Sequence, residues 1–154
     1  MDSFYNSVRV FQGRGCLREL PSVCKKALKD DLSAIILILV WDKSVLEQKG
    51  IQKLQEEFPN TLVEECSVSN PEIEDLFGLY QKFYRKKLDL IIAVGGGSIM
   101  DLGKSLCMIH DEEIESAEEL RNIIAEKRYR KSSLQWIGVP TTSGTGSEVT
   151  CWAT

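Results

Sequence analysis

The stretch Val94-Gly95-Gly96-Gly97-Ser98-Ile99-Met100-Asp101 decides the fold class of this chain. An apolar segment enters it, and a segment with apolar residues at helical spacing leaves it. Three consecutive glycines carry no Cβ atoms, so backbone N–H groups can surround an anion there. Ser98 and Asp101 have the spacing of a capping box, which predicts the start of a helix. A strand, a glycine turn and a helix N-terminus together predict a phosphate-binding site.

The rest of the chain alternates between apolar strands and amphipathic helices. Residues 34–40 have no polar face, which is typical of a parallel strand covered by helices on both sides. Asn70-Pro71 predicts a helix start, with Asn as the N-cap and Pro in the first turn. We therefore predict an α/β, Rossmann-like domain around a largely parallel sheet, with strands at residues 5–11, 34–40, 61–68, 88–94 and 134–139.

The predicted helices before residue 70 have weaker signals. Apolar residues at helical spacing place a first helix at about residues 17–29. Ser44 and Glu47 have the spacing to cap a second helix, which Gly50 is expected to interrupt.

Composition and charge exclude several classes of protein. The 154 residues carry a net charge of -4, which gives no electrostatic basis for binding nucleic acid or an anionic membrane. The longest apolar run, residues 34–41, is too short to span a membrane. The five cysteines are odd in number and form no C-x-x-C motif, which favours reduced thiols in the cytoplasm. We expect one cytoplasmic domain, residues 1–154, without a nucleic-acid or membrane partner.

Two other phosphate-binding motifs fit the sequence poorly. Gly103-Lys104-Ser105 matches the end of a Walker A motif, but the first glycine of that motif would fall on Ser98, and the three residues lie inside the predicted helix. Gly13-x-Gly15 follows a predicted strand, but Arg18 occupies the third glycine position of a dinucleotide fingerprint.

No catalytic or metal-binding constellation is evident. Ser143 and Ser147 lack the G-x-S-x-G frame of a nucleophile elbow. His110 is the only imidazole, and we expect a surface or capping role for it. Scattered cysteines with one histidine do not make a zinc site. We predict no catalytic residue and no metal ligand.

Two polar, glycine-containing turns, Gly95–Ser98 and Thr141–Ser147, follow predicted parallel strands. Ligands of open α/β sheets bind at that carboxyl edge. Asp42 ends another strand, and Asn70 follows a fourth. An acidic residue at this place suits the paired hydroxyls of a ribose and repels a 2′-phosphate. For Asp42 a helix-capping role, involving Ser44, stays equally open.

At the glycine turn and at the motif Pro140-Thr141-Thr142-Ser143-Gly144-Thr145-Gly146-Ser147-Glu148-Val149-Thr150, the sequence closely resembles the iron-containing (group III) alcohol dehydrogenases. The resemblance covers nearly the whole chain. It implies the dehydroquinate synthase-like N-terminal domain of this family, followed in full-length members by an all-helical domain. It also implies hydride transfer between NAD(P) and an alcohol or aldehyde in the cleft between the two domains.

The resemblance also implies roles for single residues. Gly96, Gly97 and Ser98 would hold the pyrophosphate of the dinucleotide, with Asp101 fixing their turn. Asp42 would bind the adenosine ribose and favour NAD over NADP, because relatives that use NADP often carry Gly there. Asn70 would lie along the nucleotide, and Thr141, Thr142 and Thr145 would line the adenosine and phosphate side. The complete predicted cofactor-binding set is Asp42, Asn70, Gly95, Gly96, Gly97, Ser98, Asp101, Thr141, Thr142, Thr145 and Ser147.

One departure from the family concerns its catalytic divalent metal, iron or zinc. The family binds it through an Asp and usually three His downstream of the threonine-rich motif, and this sequence stops at Thr154 before them. We therefore expect the NAD-binding domain of a longer enzyme, inactive alone and, by resemblance, a homodimer or larger. The alternatives are a non-catalytic nucleotide-binding or assembly module, or a relative of glycerol dehydrogenases, glycerol-phosphate dehydrogenases or dehydroquinate synthase-like lyases.

Overall fold

In the part of the chain that the structure describes, a four-stranded, fully parallel sheet forms the centre. The computed structural model describes residues 8–128, 134–144 and 146–147. The strands are β1 (Ile36–Val40), β2 (Thr61–Glu65), β3 (Leu90–Gly95) and β4 (Gln135–Pro140), in the spatial order β2-β1-β3-β4. The predicted α/β class with a parallel sheet is confirmed.

Among the described residues, five α-helices flank this sheet. They are α1 (Leu20–Ala27), α2 (Lys49–Glu57), α3 (Ile73–Phe83), α4 (Gly97–Ile109) and α5 (Ala117–Ala125), and two 3-10 turns cover Cys16–Glu19 and Lys43–Glu47. None of the helices in the part of the chain that the structure describes has the length and apolarity that crossing a bilayer requires.

Both faces of the sheet are covered, which explains why its central strands lack a polar face. Leu37 and Ile91 point to one side, into a cluster with residues of α3, α4 and α5. Ile36 and Ile92 point to the other side, into a cluster with residues of α1 and α2. Every residue of β1 is fully buried. By contrast, β2 is partly exposed and lies at the edge of the sheet.

The register of the strands brings their carboxyl ends together. Val40 of β1 lies opposite Val94 of β3, and Val94 lies opposite Val139 of β4. The loops that follow these three residues therefore start at the same level of one sheet edge.

The N-terminal strand predicted at residues 5–11 is wrong for residues 8–11. Residues 8–11 form no strand, and Val8 and Val10 are 43% and 60% exposed. Alternating apolar residues suit a half-buried strand, but they do not supply the neighbouring strand that must pair with it. Residues 5–7 lie outside the described part.

The prediction that Gly50 interrupts a helix is also wrong. Helix α2 runs through Gly50, and a Cβ atom there would lie 2.2 Å from the backbone oxygen of Leu17. The glycine therefore serves a close approach between two elements. The preceding 3-10 turn is capped by Asp42, whose side chain accepts from the Ser44 amide, and Ser44 is not the cap.

Helix α3 begins two residues later than Asn70-Pro71 predicted. Its N-cap is Glu72, which forms a reciprocal capping box with Asp75. Asn70 instead has a left-handed backbone with φ of 52°. Its short side chain tolerates that conformation, which turns the chain ahead of the helix.

Candidate functional site

A cleft of about 310 Å³ lies at the carboxyl edge of the sheet, where β1, β3 and β4 end. The two turns predicted from the sequence meet there. The cleft is lined by Trp41, Asp42, Val45, Val94, Gly95, Gly96, Gly97, Ser98, Thr141 and Thr142.

The N-terminus of α4 forms one wall of this cleft. Gly96 is the N-cap residue, and its carbonyl accepts hydrogen bonds from the amides of Ile99 and Met100, both at 3.1 Å. The amides of Gly97 and Ser98 precede these bonds and belong to the first turn, whose N–H groups lack intrahelical acceptors. Together with the helix dipole, they create a positive potential that suits an anion.

The capping box predicted for Ser98 and Asp101 is not formed. Because Gly96 is the N-cap, Asp101 falls in the second turn, too far along the helix to reach the N-cap amide. Its carboxylate lies 3.1 Å from the ammonium of Lys104, and both side chains are more than nine-tenths buried. Asp101 does not line the cleft. Lys104 is a residue of α4, and its side chain is likewise buried. This position agrees with the conclusion from the sequence that Gly103-Lys104-Ser105 is not part of a Walker A loop.

The glycines fit the tight geometry of the cleft. A Cβ atom on Gly95 would lie 2.8 Å from Cγ1 of Ile99, which is too close for ordinary packing. A Cβ atom on Gly96 would lie 3.3 Å from Oγ1 of Thr142, a residue of the second loop. Side chains at these positions would therefore collide with α4 or narrow the cleft, which is the fit expected of an anion-binding turn.

The second loop is tied directly to the first. The Thr141 amide donates a 2.9 Å hydrogen bond to the Gly95 carbonyl, which extends the contact between β3 and β4 by one residue. Thr141 and Thr142 are exposed and line the cleft, so their hydroxyls are available to a ligand. Ser147 is buried and is not among the lining residues. Thr145 lies outside the described residues.

Asn70 contacts the site through its backbone. Its amide donates a 3.2 Å hydrogen bond to Oγ of Ser98, at the start of α4. Asn70 itself does not line the cleft. This bond places the loop before α3 beside the glycine turn, a link that no sequence motif reveals.

Asp42 has the capping role that the sequence left open, and it also lines the cleft. Its Oδ1 accepts a 2.8 Å hydrogen bond from the Ser44 amide, and its exposed carboxylate lines the cleft. Hydrogen bonds from the Ser44 hydroxyl and backbone lower the pKa of this carboxyl below its ordinary value. Asp42 therefore remains an anionic acceptor at neutral pH.

Three apolar residues of the cleft were not predicted. Trp41, Val45 and Val94 line it beside the polar loops. The position of Trp41 directly after an apolar strand was the available signal, because residues that end parallel strands reach the ligand edge.

Of the surface or capping role expected for His110, the surface role is wrong, whereas the residue does occupy the C-cap position of α4. It is 8% exposed at the C-terminal end of α4, and its Nε2 lies 3.3 Å from the carbonyl oxygen of Phe83. It lines an open groove of about 960 Å³ with residues 84–87, which lead into β3. This groove therefore lies at the edge of the sheet opposite the cleft.

The described residues do not fit a catalytic metal. Across residues 8–128, 134–144 and 146–147, no three His, Cys, Asp or Glu side chains are grouped as metal ligands. The chemistry of the cleft, as far as it is described, is that of an anion and hydroxyl binder.

Comparisons with known proteins identify similar sequences. The family model of the iron-containing alcohol dehydrogenases matches residues 7–154. An alcohol dehydrogenase of Thermococcus barophilus is 27% identical over 164 residues, covering 97% of this chain and 39% of that protein. Long-chain-alcohol dehydrogenase 1 of Geobacillus thermodenitrificans is 46% identical over 66 residues, covering 42% of this chain and 16% of that protein.

Solved structures share the fold. An iron-containing alcohol dehydrogenase of Thermotoga maritima superposes with a TM-score of 0.70 at 26% identity, covering 96% of this chain and 40% of that one. A sulfoacetaldehyde reductase of Bifidobacterium kashiwanohense, solved in complex with NAD+, gives a TM-score of 0.77 at 23% identity, covering 98% and 39%. This chain therefore spans about 40% of the length of these two structures.

Proposed function

The chain belongs to the iron-containing alcohol dehydrogenase family, and we propose that it is the dinucleotide-binding domain of an oxidoreductase of this family. In the whole enzyme, hydride passes between the nicotinamide of NAD(P) and an alcohol or aldehyde. A divalent metal belongs to that activity, and its ligands lie outside the residues described. The domain covers residues 1–154 and is inactive alone.

One observation supports this proposal: the loop after β3 and the loop after β4 meet at the first turn of α4. Gly97 and Ser98, at the first turn of α4, and Thr141 and Thr142, which carry hydroxyls, line one cleft. Backbone amides and hydroxyls are the donors that bind phosphate oxygens. We assign the pyrophosphate of the dinucleotide to this place, with Gly95 and Gly96 leaving room for it.

Asp42 supports NAD as the preferred cofactor. It lines the cleft from β1, the strand next to β3, and its carboxylate is exposed. A carboxylate accepts hydrogen bonds from both hydroxyls of a ribose and repels the 2′-phosphate of NADP. The NAD+ complex of the Bifidobacterium reductase, which has the same fold, agrees with this choice.

Asp101, Asn70 and Ser147 receive indirect roles. Asp101 and Lys104 pair with each other inside α4, after the glycine turn, and the Asn70 amide orients the hydroxyl of Ser98. Ser147 lies buried beyond the threonines of the second loop. We assign Thr145 to the phosphate side of the cofactor on its place in the motif alone.

Titration with NADH tests the proposal. The nicotinamide fluorescence of NADH is followed as the chain is added, and saturable binding that ADP-ribose displaces is expected. The matched control compares Gly96→Asp with Gly78→Asp, because Gly78 is an exposed residue of α3 with open space around it. Loss of binding only in Gly96→Asp supports the site. A chain that unfolds cooperatively but binds no NADH contradicts it.

A further inference from the structure

Trp41 is an exposed indole at the mouth of the cleft. It is 42% exposed and lines the cleft together with Asp42 and Val45. We propose that the adenine ring of the dinucleotide stacks on the Trp41 side chain, which makes Trp41 a residue that determines cofactor affinity. This proposal rests on the proposed function and adds to it the site of the base.

The place of Trp41 distinguishes it from the other exposed apolar residues. Among the described residues, four other large apolar side chains are comparably exposed, Val8, Val10, Phe11 and Leu32, and none of them lines the cleft. A large aromatic surface at the rim of a ligand cleft is the place where a planar group gains most by stacking. Trp41 is the only aromatic residue that lines the described cleft.

The order of the groups along the sheet edge matches the order of groups in a dinucleotide. The glycine turn after β3 faces the pyrophosphate, and Asp42 after the neighbouring β1 faces the adenosine ribose in the proposed function. The adenine is bonded to that ribose. A base joined to a ribose at Asp42 therefore comes within reach of the adjacent residue, Trp41.

Hydrogen bonds within the chain fix the backbone around Trp41. Its carbonyl accepts a 3.2 Å hydrogen bond from Oγ of Ser67, and the preceding residue, Val40, accepts a 2.8 Å bond from the Cys66 amide. On the other side, Asp42 is bonded to Ser44. An aromatic platform on a fixed backbone loses little conformational freedom on binding, which favours stacking.

Binding measurements on variants of the full chain test the proposal. In Trp41→Ala, the dissociation constants of NADH and ADP-ribose are expected to rise about 5- to 150-fold, the range that loss of one base–aromatic stack gives. Trp41→Phe keeps a ring and is expected to lose much less. Reduced nicotinamide mononucleotide has no adenine, so its affinity is expected to stay unchanged in Trp41→Ala.

Leu32→Ala is the matched control, because Leu32 is 46% exposed and lies before β1, at the opposite edge of the sheet. Its NADH affinity is expected to equal that of the unchanged chain. A second readout uses a chain in which Trp136 and Trp152 are replaced by Phe. ADP-ribose, which carries no nicotinamide, is expected to quench the fluorescence of the remaining Trp41.

The outcomes separate the two proposals. ADP-ribose affinity that is equal in Trp41→Ala and the unchanged chain overturns the stacking proposal and leaves the proposed function intact. Absence of quenching on saturation with ADP-ribose does the same. If the folded, unchanged chain binds neither NADH nor ADP-ribose, the proposed function fails and the stacking proposal fails with it.

Discussion

Lys104 and Asp101 form an ion pair of 3.1 Å across one turn of α4, and both side chains are more than nine-tenths buried. Removing one partner of a buried pair leaves the other charge buried without the opposite charge 3.1 Å away. Lys104→Met is therefore expected to lower the free energy of unfolding by about 3–5 kcal/mol. Urea denaturation followed by circular dichroism measures this loss.

Two variants test the origin of that effect. The double variant Asp101→Leu/Lys104→Met removes both charges and is expected to recover part of the loss. Lys53→Met breaks an exposed pair with Glu57 in α2 and is expected to cost less than about 1 kcal/mol. Equal losses for Lys53→Met and Lys104→Met would contradict a role for burial.

Asp42→Ser is expected to shift cofactor preference toward NADPH. The serine hydroxyl can still accept from the Ser44 amide, whereas the charge that repels a 2′-phosphate is gone. The ratio of NADPH to NADH affinity is expected to rise at least about fivefold, the effect of removing one like charge about 4 Å away in water. Asp42→Gly is expected to shift the ratio in the same direction.

Asp31→Ser is the control for that change. Asp31 accepts a 3.0 Å hydrogen bond from the Ser33 amide, the same arrangement as in Asp42, but it precedes β1 at the opposite edge of the sheet. Fluorescence titrations with both cofactors measure the ratio. An unchanged ratio in Asp42→Ser would remove Asp42 from the ribose.

Gly95→Ala is expected to destabilise the fold. The added Cβ would lie 2.8 Å from the side chain of Ile99, so β3 and α4 must separate, at a cost of about 1–3 kcal/mol. Gly78→Ala in α3 has open space and is expected to gain about 0.5–1 kcal/mol. Thermal unfolding of the two variants measures both signs. A Gly95→Ala variant as stable as the unchanged chain would contradict the close approach between Gly95 and the side chain of Ile99.

Alkaline pH is expected to destabilise the domain through Cys24. Burial raises the pKa of this thiol from 9.0 to about 12. Above pH 9 the unfolded chain releases the thiol proton while the folded chain keeps it, so the free energy of unfolding falls as pH rises from about 9 toward 12. Urea titrations at pH 8, 9, 10 and 11 measure this slope.

The Cys24→Ala variant isolates that contribution. Its slope is expected to be shallower than that of the unchanged chain, because one buried thiol is removed. Burial also raises the pKa of Cys66 and Cys107, each to about 11, so a smaller slope is expected to remain. An identical slope in both proteins would exclude Cys24 as a source of the pH dependence.

The sequence was sufficient to predict the architecture where burial dominates. Uninterrupted apolar residues marked β1 and β3 because strands covered on both faces cannot carry polar side chains. Glycines and threonines after β3 and β4 marked the cleft because the ends of parallel strands meet at one edge. These two features do not depend on which distant residue each side chain contacts.

Predictions failed where a residue could make either the contact that its local sequence suggests or a contact with another residue. Ser98 and Asp101 match a capping box, but Gly96 begins the helix and Asp101 pairs with Lys104. Asn70 resembles an N-cap, yet its amide bonds to Ser98, 28 residues away. His110 lies at a polar helix end but is buried against Phe83. Such choices depend on tertiary neighbours, which spacing along the chain does not contain.

The cleft has two walls of different kinds. The first, which we call the phosphate wall, contains the hydrogen bond from the Thr141 amide to the Gly95 carbonyl. The phosphate wall is a continuation of the β3–β4 ladder, so widening it would require separating β4 from the central strand β3. The wall formed by Trp41, Asp42 and Val45 follows a different strand, and its Trp41 and Asp42 side chains are exposed. An engineer can therefore exchange residues of the second wall to select among cofactors and leave the anion-binding turn untouched.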